Sequence, residues 1–244
     1  MFDFSIDFDF RHLTFDFFEG VIMVKHINAY DRSLIQIGNR LLEMSGLVGK
    51  RLSLAMDSFI RQDDKMAQSI VAGDDDIDTQ EESLEMECLE LISLQQPTDH
   101  DLRFLAAAMH IGRELERIGD YACDIAELIL GLKPKAPYFK PLVDLPRMAQ
   151  IVQEMLDKSM KAYFEKNIKL AGQLDDDDNQ VDQLFLALLG ELTDYMKQGP
   201  EYVDQASSLL LAARYLERIG DHVVNIAEMV IFTETGERHP FKAK

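Results

Sequence analysis

Arg113-Glu114-Leu115-Glu116-Arg117-Ile118-Gly119-Asp120, followed by Ile125-Ala126-Glu127, returns as Arg214-Tyr215-Leu216-Glu217-Arg218-Ile219-Gly220-Asp221, followed by Ile226-Ala227-Glu228. Ten of the fifteen positions from Arg113 to Glu127 are identical at an offset of 101 residues, so the chain contains a duplicated unit. Each copy carries carboxylates at helical spacing. Glu116 and Asp120 are four apart and share one helix face, with Asp124 one turn beyond and Glu127 near the same azimuth. The second copy offers Glu217, Asp221 and Glu228, with Asn225 in place of Asp124. An apolar seam runs beside the acids through Ile111, Leu115, Ile118, Ala122, Ile125, Leu128 and Leu132. Like charges at i, i+4 weaken a helix by roughly 0.2–0.5 kcal/mol per pair. Repeating such a pair next to a core calls for a cation, either Arg117 and Arg218 or a metal ion.

Outward from this phrase, the periodicity is helical. Asn28 to Ile60 follows a 3-4 apolar pattern, as do Asp63 to Gln95 and Asp99 to Leu132; Gln96-Pro97 breaks the last two apart. Thr98 and Asp101 have the spacing of a capping box. Pro134, Pro137, Pro141 and Pro146 mark a linker over 134–146. The pattern then restarts over Asp144–Phe164, Asn167–Lys197 and Glu201–Phe232, with Gly199-Pro200 as the matching break. The expected architecture is all-α: two tandem antiparallel three-helix bundles, over 23–133 and 147–233, with a frayed tail over 234–244. Residues 1–22 alternate Phe and Asp like a strand without a partner; Met23 has the character of a natural start. The segment is expected to be appended or poorly ordered.

Aligning the halves exposes further acids. The middle helix of the first half holds Asp74 and Asp78, four apart; that of the second holds Asp178 and Asp182, at an offset of 104. Taken alone, the runs 74–76 and 175–178 read as solvated faces or helix interruptions. Set against the duplicated pairs on the third helix, they complete two candidate sites, Asp74, Asp78, Glu116 and Asp120, and Asp178, Asp182, Glu217 and Asp221. All-oxygen donor sets suit hard cations such as Mg, Ca, Mn or ferric iron. An EF-hand does not fit, because Thr79 stands at the glycine position and Leu186 where the second half needs its last Glu. A ferritin-like site is disfavoured because none of the six histidines stands three residues after a glutamate. His222, about 100° round the helix from Asp221, reads as a surface or capping histidine. No P-loop, nucleophile elbow or dinucleotide fingerprint is present.

Composition narrows the function classes. A net charge of −19 argues against nucleic acid and anionic membrane surfaces and favours cationic partners. No apolar run reaches the roughly 18 residues of a transmembrane helix, and no signal peptide is visible. Cys88 and Cys123 lack metal or redox spacing and read as buried free thiols in a reducing cytosol.

Over about residues 24–232 the chain resembles the PhoU family of bacterial phosphate-transport and phosphate-signalling regulators. The matching stretches are Ile70-Val71-Ala72-Gly73-Asp74 through Ile77-Asp78, Gln95-Gln96-Pro97 with Asp101-Leu102-Arg103, and the two Leu-Glu-Arg-Ile-Gly-Asp segments with their Ile-Ala-Glu. The resemblance implies pseudo-twofold-related bundles. It also implies (Glu/Asp)-x-x-x-Asp motifs that hold iron or zinc clusters, here Glu116/Asp120 and Glu217/Asp221 faced by Asp74/Asp78 and Asp178/Asp182. It implies a cytoplasmic, non-enzymatic, often homodimeric regulator. Such a protein links the nucleotide-binding subunit of a phosphate ABC transporter to a sensor histidine kinase and represses phosphate-starvation genes. Asn225 departs from the motif and predicts two unequal sites. Two other classes compete: a metal-dependent phosphohydrolase and a purely structural helical scaffold.

Overall fold

The computed structural model describes residues 28–132 and 136–238; the expectations for residues 1–22, for Pro134 and for the end of the tail lie outside them. Helix α1 runs Ala29–Arg61, with Asn28 as its N-cap accepting from the Asp31 N–H at 2.8 Å. It ends where Gln62 turns left-handed at φ 54°. Asp63 then caps α2, Asp64–Val71, through the N–H groups of Lys65 and Met66. Helix α3 covers Asp75–Gln95 and ends at a left-handed Gln96; α4 covers Asp99–Gly131. The second half repeats the order with α5 (Asp144–Phe164), α6 (Ile168–Gly172), α7 (Leu174–Gln198), a 3-10 turn at Pro200–Tyr202 and α8 (Val203–Thr235).

Two expectations are corrected here. The middle helix of each half is not continuous: α2 and α3 part at 72–74, and α6 and α7 part at Gln173. Asp is a poor helix former and Gly73 a poorer one, and the Arg51 guanidinium stabilises the break by donating to the Gly73 and Asp74 carbonyls. Thr98 does precede α4, but its side chain makes no capping bond. Asp101 instead accepts from the Tyr30 hydroxyl at 3.1 Å, tying α4 to α1.

Within the first half α1 and α4 run parallel, as Tyr30–Asp101 and Arg51–Cys123 show, and α3 runs against them, as Arg40–Glu87 shows. The halves then pack through antiparallel pairs. Helix α1 lies along α5, where Gly38 meets Phe164 and Gly49 meets Gln153. Helix α4 lies along α8, where Arg103 Nε donates to the Thr233 carbonyl at 3.1 Å and Tyr121 meets Tyr215 at 5.7 Å between rings. The Leu41, Met44, Val48 and Leu52 side chains of α1, the Ile111–Ile125 seam of α4, Met148 and Val152 of α5, and Leu216 to Ile226 of α8 form one continuous core. The two bundles therefore share their apolar interior. The linker is pinned as well: the Tyr138 hydroxyl donates to the Phe59 carbonyl at 2.7 Å, and Gln62 and Gln205 both donate to Ala136.

Candidate metal centre

On α4 the seam residues Leu115, Ile118, Ala122 and Ile125 are wholly buried, which turns Glu116 and Asp120 to its edge, each half-buried. Opposite them, Ile77 of α3 reaches into the space left by Gly119: a Cβ there would stand 3.0 Å from Ile77 Cδ1. This close approach of α3 to α4 delivers Asp78 to the two acids. Oxygens of Asp78, Glu116 and Asp120 lie within 4.8 Å of one another, the one such group of three among the described residues.

The electrostatics match crowded carboxylates. Burial, and then the neighbouring Asp120 charge, push the Glu116 carboxyl above its ordinary value. Burial raises Asp120 too; Arg117 pulls it back in part, and Asp74 and Asp78 push it further up. Arg117 is the cation on this face: Nη1 meets Asp120 Oδ2 at 3.1 Å and Nε meets Glu116 Oε2 at 3.5 Å. An all-oxygen trio under like-charge strain, with Glu116 and Asp120 half-buried and Asp78 exposed, fits a hard cation.

Asp74 takes a different place from its three companions. It precedes α3, with its carboxylate on Arg51 at 3.1 Å and accepting from the Cys123 thiol at 2.9 Å. Burial and this Asp74 bond raise the Cys123 thiol to about 12, so it serves as a donor. Both cysteines are free and buried, as their spacing implied.

The second half does not repeat this geometry. Glu217 is buried and Arg214 Nη1 holds its Oε1 at 2.6 Å; Arg218 meets Asp221 at 3.4 Å. Asp178 is buried with Oδ1 3.0 Å from where a Gly220 Cβ would stand, and Met155 Cε lies 3.9 Å from that same point, where the first half has Arg51 beside Gly119. Asp182 is half-buried on α7. The four second-half acids thus sit on the expected helices, but no three of them come within the span of the first-half trio.

The profile described as "PhoU domain" matches the chain twice, over residues 41–129 and 145–230. The chain belongs to the PhoU family. It is 34% identical over 216 residues to the phosphate-specific transport system accessory protein PhoU homolog of Caulobacter vibrioides, covering 88% of this chain and 94% of that one. It is 36% identical over 196 residues to PhoU homolog 1 of Methanothermobacter thermautotrophicus, covering 80% and 90%. The crystal structure of PhoU from Pseudomonas aeruginosa superimposes with a TM-score of 0.81 at 31% identity, over 85% of this chain and all of that one. The Caulobacter and Methanothermobacter relatives are named accessory proteins of phosphate-specific transport. The all-α, twice-repeated three-helix architecture read from the sequence is that of the PhoU fold.

The PhoU fold also joins residues that periodicity left apart. Glu114 is buried where α4 crosses α8. Its Oε2 meets His222 Nδ1 at 2.7 Å and accepts from Asn225 Nδ2 at 2.9 Å, while Oε1 lies 3.3 Å from His110 Nδ1. Burial pushes this carboxyl up, but the His222 and Asn225 bonds and the histidine charges outweigh it and hold the group below its usual value. His222 is therefore an inter-bundle residue, correcting its reading as a surface or cap. Asn225, expected to alter the second acidic site, serves this crossing. One signal was present in the sequence: Glu114 and His110 are a buried-side i, i+4 pair.

Proposed function

We propose that the chain is an accessory regulator of phosphate-specific transport that carries a metal site in its first bundle. Family membership and the names of the relatives support the transport role; the convergence of Asp78, Glu116 and Asp120 carries the metal reading. These three carboxylates would hold the ion, iron or zinc by family resemblance, with Mg, Mn or Ca also suited to the donors. The ion would neutralise the crowded charge and lock α3 against α4; Arg117 takes that role in its absence. Asp74 supports the α3 start, and Asp178, Asp182, Glu217 and Asp221 form a weaker second site.

In this reading the protein is cytoplasmic and non-enzymatic, and works as a homodimer. It couples the transporter's nucleotide-binding subunit to a sensor histidine kinase and holds phosphate-starvation genes down when phosphate is plentiful. No helix among the described residues is long and apolar enough to cross a membrane, which agrees with docking to a transporter instead of joining it. Deleting the gene should derepress phosphate-regulated expression in phosphate-rich medium; unchanged expression and uptake would sink the regulatory reading. Elemental analysis of untagged protein should find metal in the native chain and much less after Glu116→Gln/Asp120→Asn.

A further inference from the structure

The metal reading uses one shoulder of α3. Its solvent face is unaccounted for. Met86 and Leu94 are each 66% exposed and Leu89 is 45% exposed. Between and beside them on the same outward stripe stand the exposed Glu82 and Glu90. Helix α3 carries eight carboxylates and not one basic residue over its 21 positions. Alongside the stripe, between α1 and α3, runs a groove of about 280 Å³ bordered by Met44, Leu47, Thr79 and Ser83, with Glu43 on its wall and Arg40, paired to Glu87 at 3.0 Å, as its one cation. Leu47 is itself 43% exposed.

We propose that this face of α3, with the adjoining groove, is a docking surface for a basic amphipathic helix of a partner protein. Apolar side chains at i and i+3 on a straight helix match the ridge of a second helix laid along it. Methionine adapts its shape to such a ridge. Charge selects the occupant. A second copy meeting the chain through this same face would set the carboxylates of α3 against their own copies, so a homodimer forms elsewhere. The chain's own residues 1–22 are rich in Phe but carry five acids against the single Arg11. An anionic membrane meets the same repulsion. Lysines or arginines flanking the partner's apolar stripe would instead meet Glu82 and Glu90. The outer helix of the second half provides a comparison: Leu186 and Leu189 are exposed on α7, yet no acid lies between Asp182 and Glu191. The proposal rests on the accessory reading only in needing a protein partner, and it is independent of bound metal.

The test uses the full metal-free chain and, as probe, a labelled 18-residue Leu/Lys peptide with its leucines on one helical face. The control peptide has the same composition with its leucines dispersed. At about 150 mM salt, where exposed charges are screened beyond about 8 Å, the first peptide should bind at least tenfold more tightly than the control. Met86→Ser/Leu89→Ser should weaken it about tenfold. Glu82→Gln/Glu90→Gln should weaken it severalfold and flatten its salt dependence. Leu186→Ser/Leu189→Ser should leave it unchanged. Equal affinity for the two peptides, no effect of the α3 pairs, or an equal effect of the α7 pair would overturn the proposal. So would displacement of the probe by a peptide of residues 1–22, or a native dimer that Met86→Ser/Leu89→Ser makes monomeric, since each names a different occupant. Failure here with phosphate-regulated repression intact in the Met86→Ser/Leu89→Ser strain removes the surface and leaves the transport role standing.

Discussion

Replacing Asp120 by Asn should separate two effects that the native trio combines. Two unit charges at 4.8 Å, the span within which the three oxygens lie, repel by about 1 kcal/mol at the dielectric of water and by about 3.5 kcal/mol at an effective dielectric near 20. Asp120 takes part in two such pairs, and Arg117 at 3.1 Å offsets much of the repulsion. The net relief in the metal-free protein should be about 1 kcal/mol, or about 2–4 °C in melting temperature for a chain of this size. Metal should act in the opposite direction. At a hundred times its dissociation constant an ion adds about 2.7 kcal/mol to the native state, which corresponds to about 5–10 °C here. Asp120→Asn should lose most of that gain and at least tenfold in affinity. Scanning calorimetry of untagged, chelator-treated protein, titrated with manganese or zinc, reads both numbers. The pH dependence supplies a further check. The folded-state carboxyls of Glu116 and Asp120 are raised, so their contribution to stability is present at low pH and is lost as pH rises through their folded values. In the metal-free state the native protein should therefore gain on Asp120→Asn at pH 7 and much less near pH 4. A metal-induced shift of equal size in the two proteins would refute the assignment of the trio, and a destabilised metal-free variant at pH 7 would refute the repulsion argument.

Chelation of the native chain should lower the melting temperature while far-ultraviolet circular dichroism stays helical, because the core of α1, α4, α5 and α8 does not depend on the ion. Glu114→Gln should cost about 1–3 kcal/mol at pH 7 by urea unfolding, since it weakens a buried, charge-assisted group. Its folded carboxyl is depressed, so the native chain holds this stability above the usual carboxylate range and loses it as pH falls through the folded value; the penalty of the variant should vanish in acid. Arg51→Met, which copies Met155 of the second half, should cost about 1–3 kcal/mol by leaving the Gly73 and Asp74 carbonyls without their donor. Gly190→Ala, on a helix face with nothing within 4 Å, should stabilise by about 0.5–1 kcal/mol.

The duplicated Leu-Glu-Arg-Ile-Gly-Asp phrase was sufficient for the class of fold. Periodicity of 3.6 residues is a local property, so the seam from Ile111 to Ile125 and the acids beside it could be placed on one helix from their spacing alone. The same spacing led to Asp78, Glu116 and Asp120, because two helices with matched stripes must meet along them. It overreached at Asp74. Spacing put Asp74 on a helix with Asp78, but Arg51 lies 23 residues earlier in the chain and claims it across the bundle. Arg214 and Glu217, three apart on one helix, could be paired from spacing; that Asp178 would be buried against Gly220 could not, so the two halves looked more alike than they are.

What the sequence determined by itself, then, is the helical character of each segment and the acidic strip beside the seam, which follow from neighbours within a turn or two, and the two repeats, which follow from comparing the halves directly. Only the tertiary structure decided which carboxylates converge, that Arg51 takes Asp74, and that Glu114 meets His222 and Asn225 where the bundles cross. Those outcomes depend on distances between residues tens to more than a hundred positions apart, and such distances are set by how Gly119, Gly49 and the shared core allow whole helices to approach.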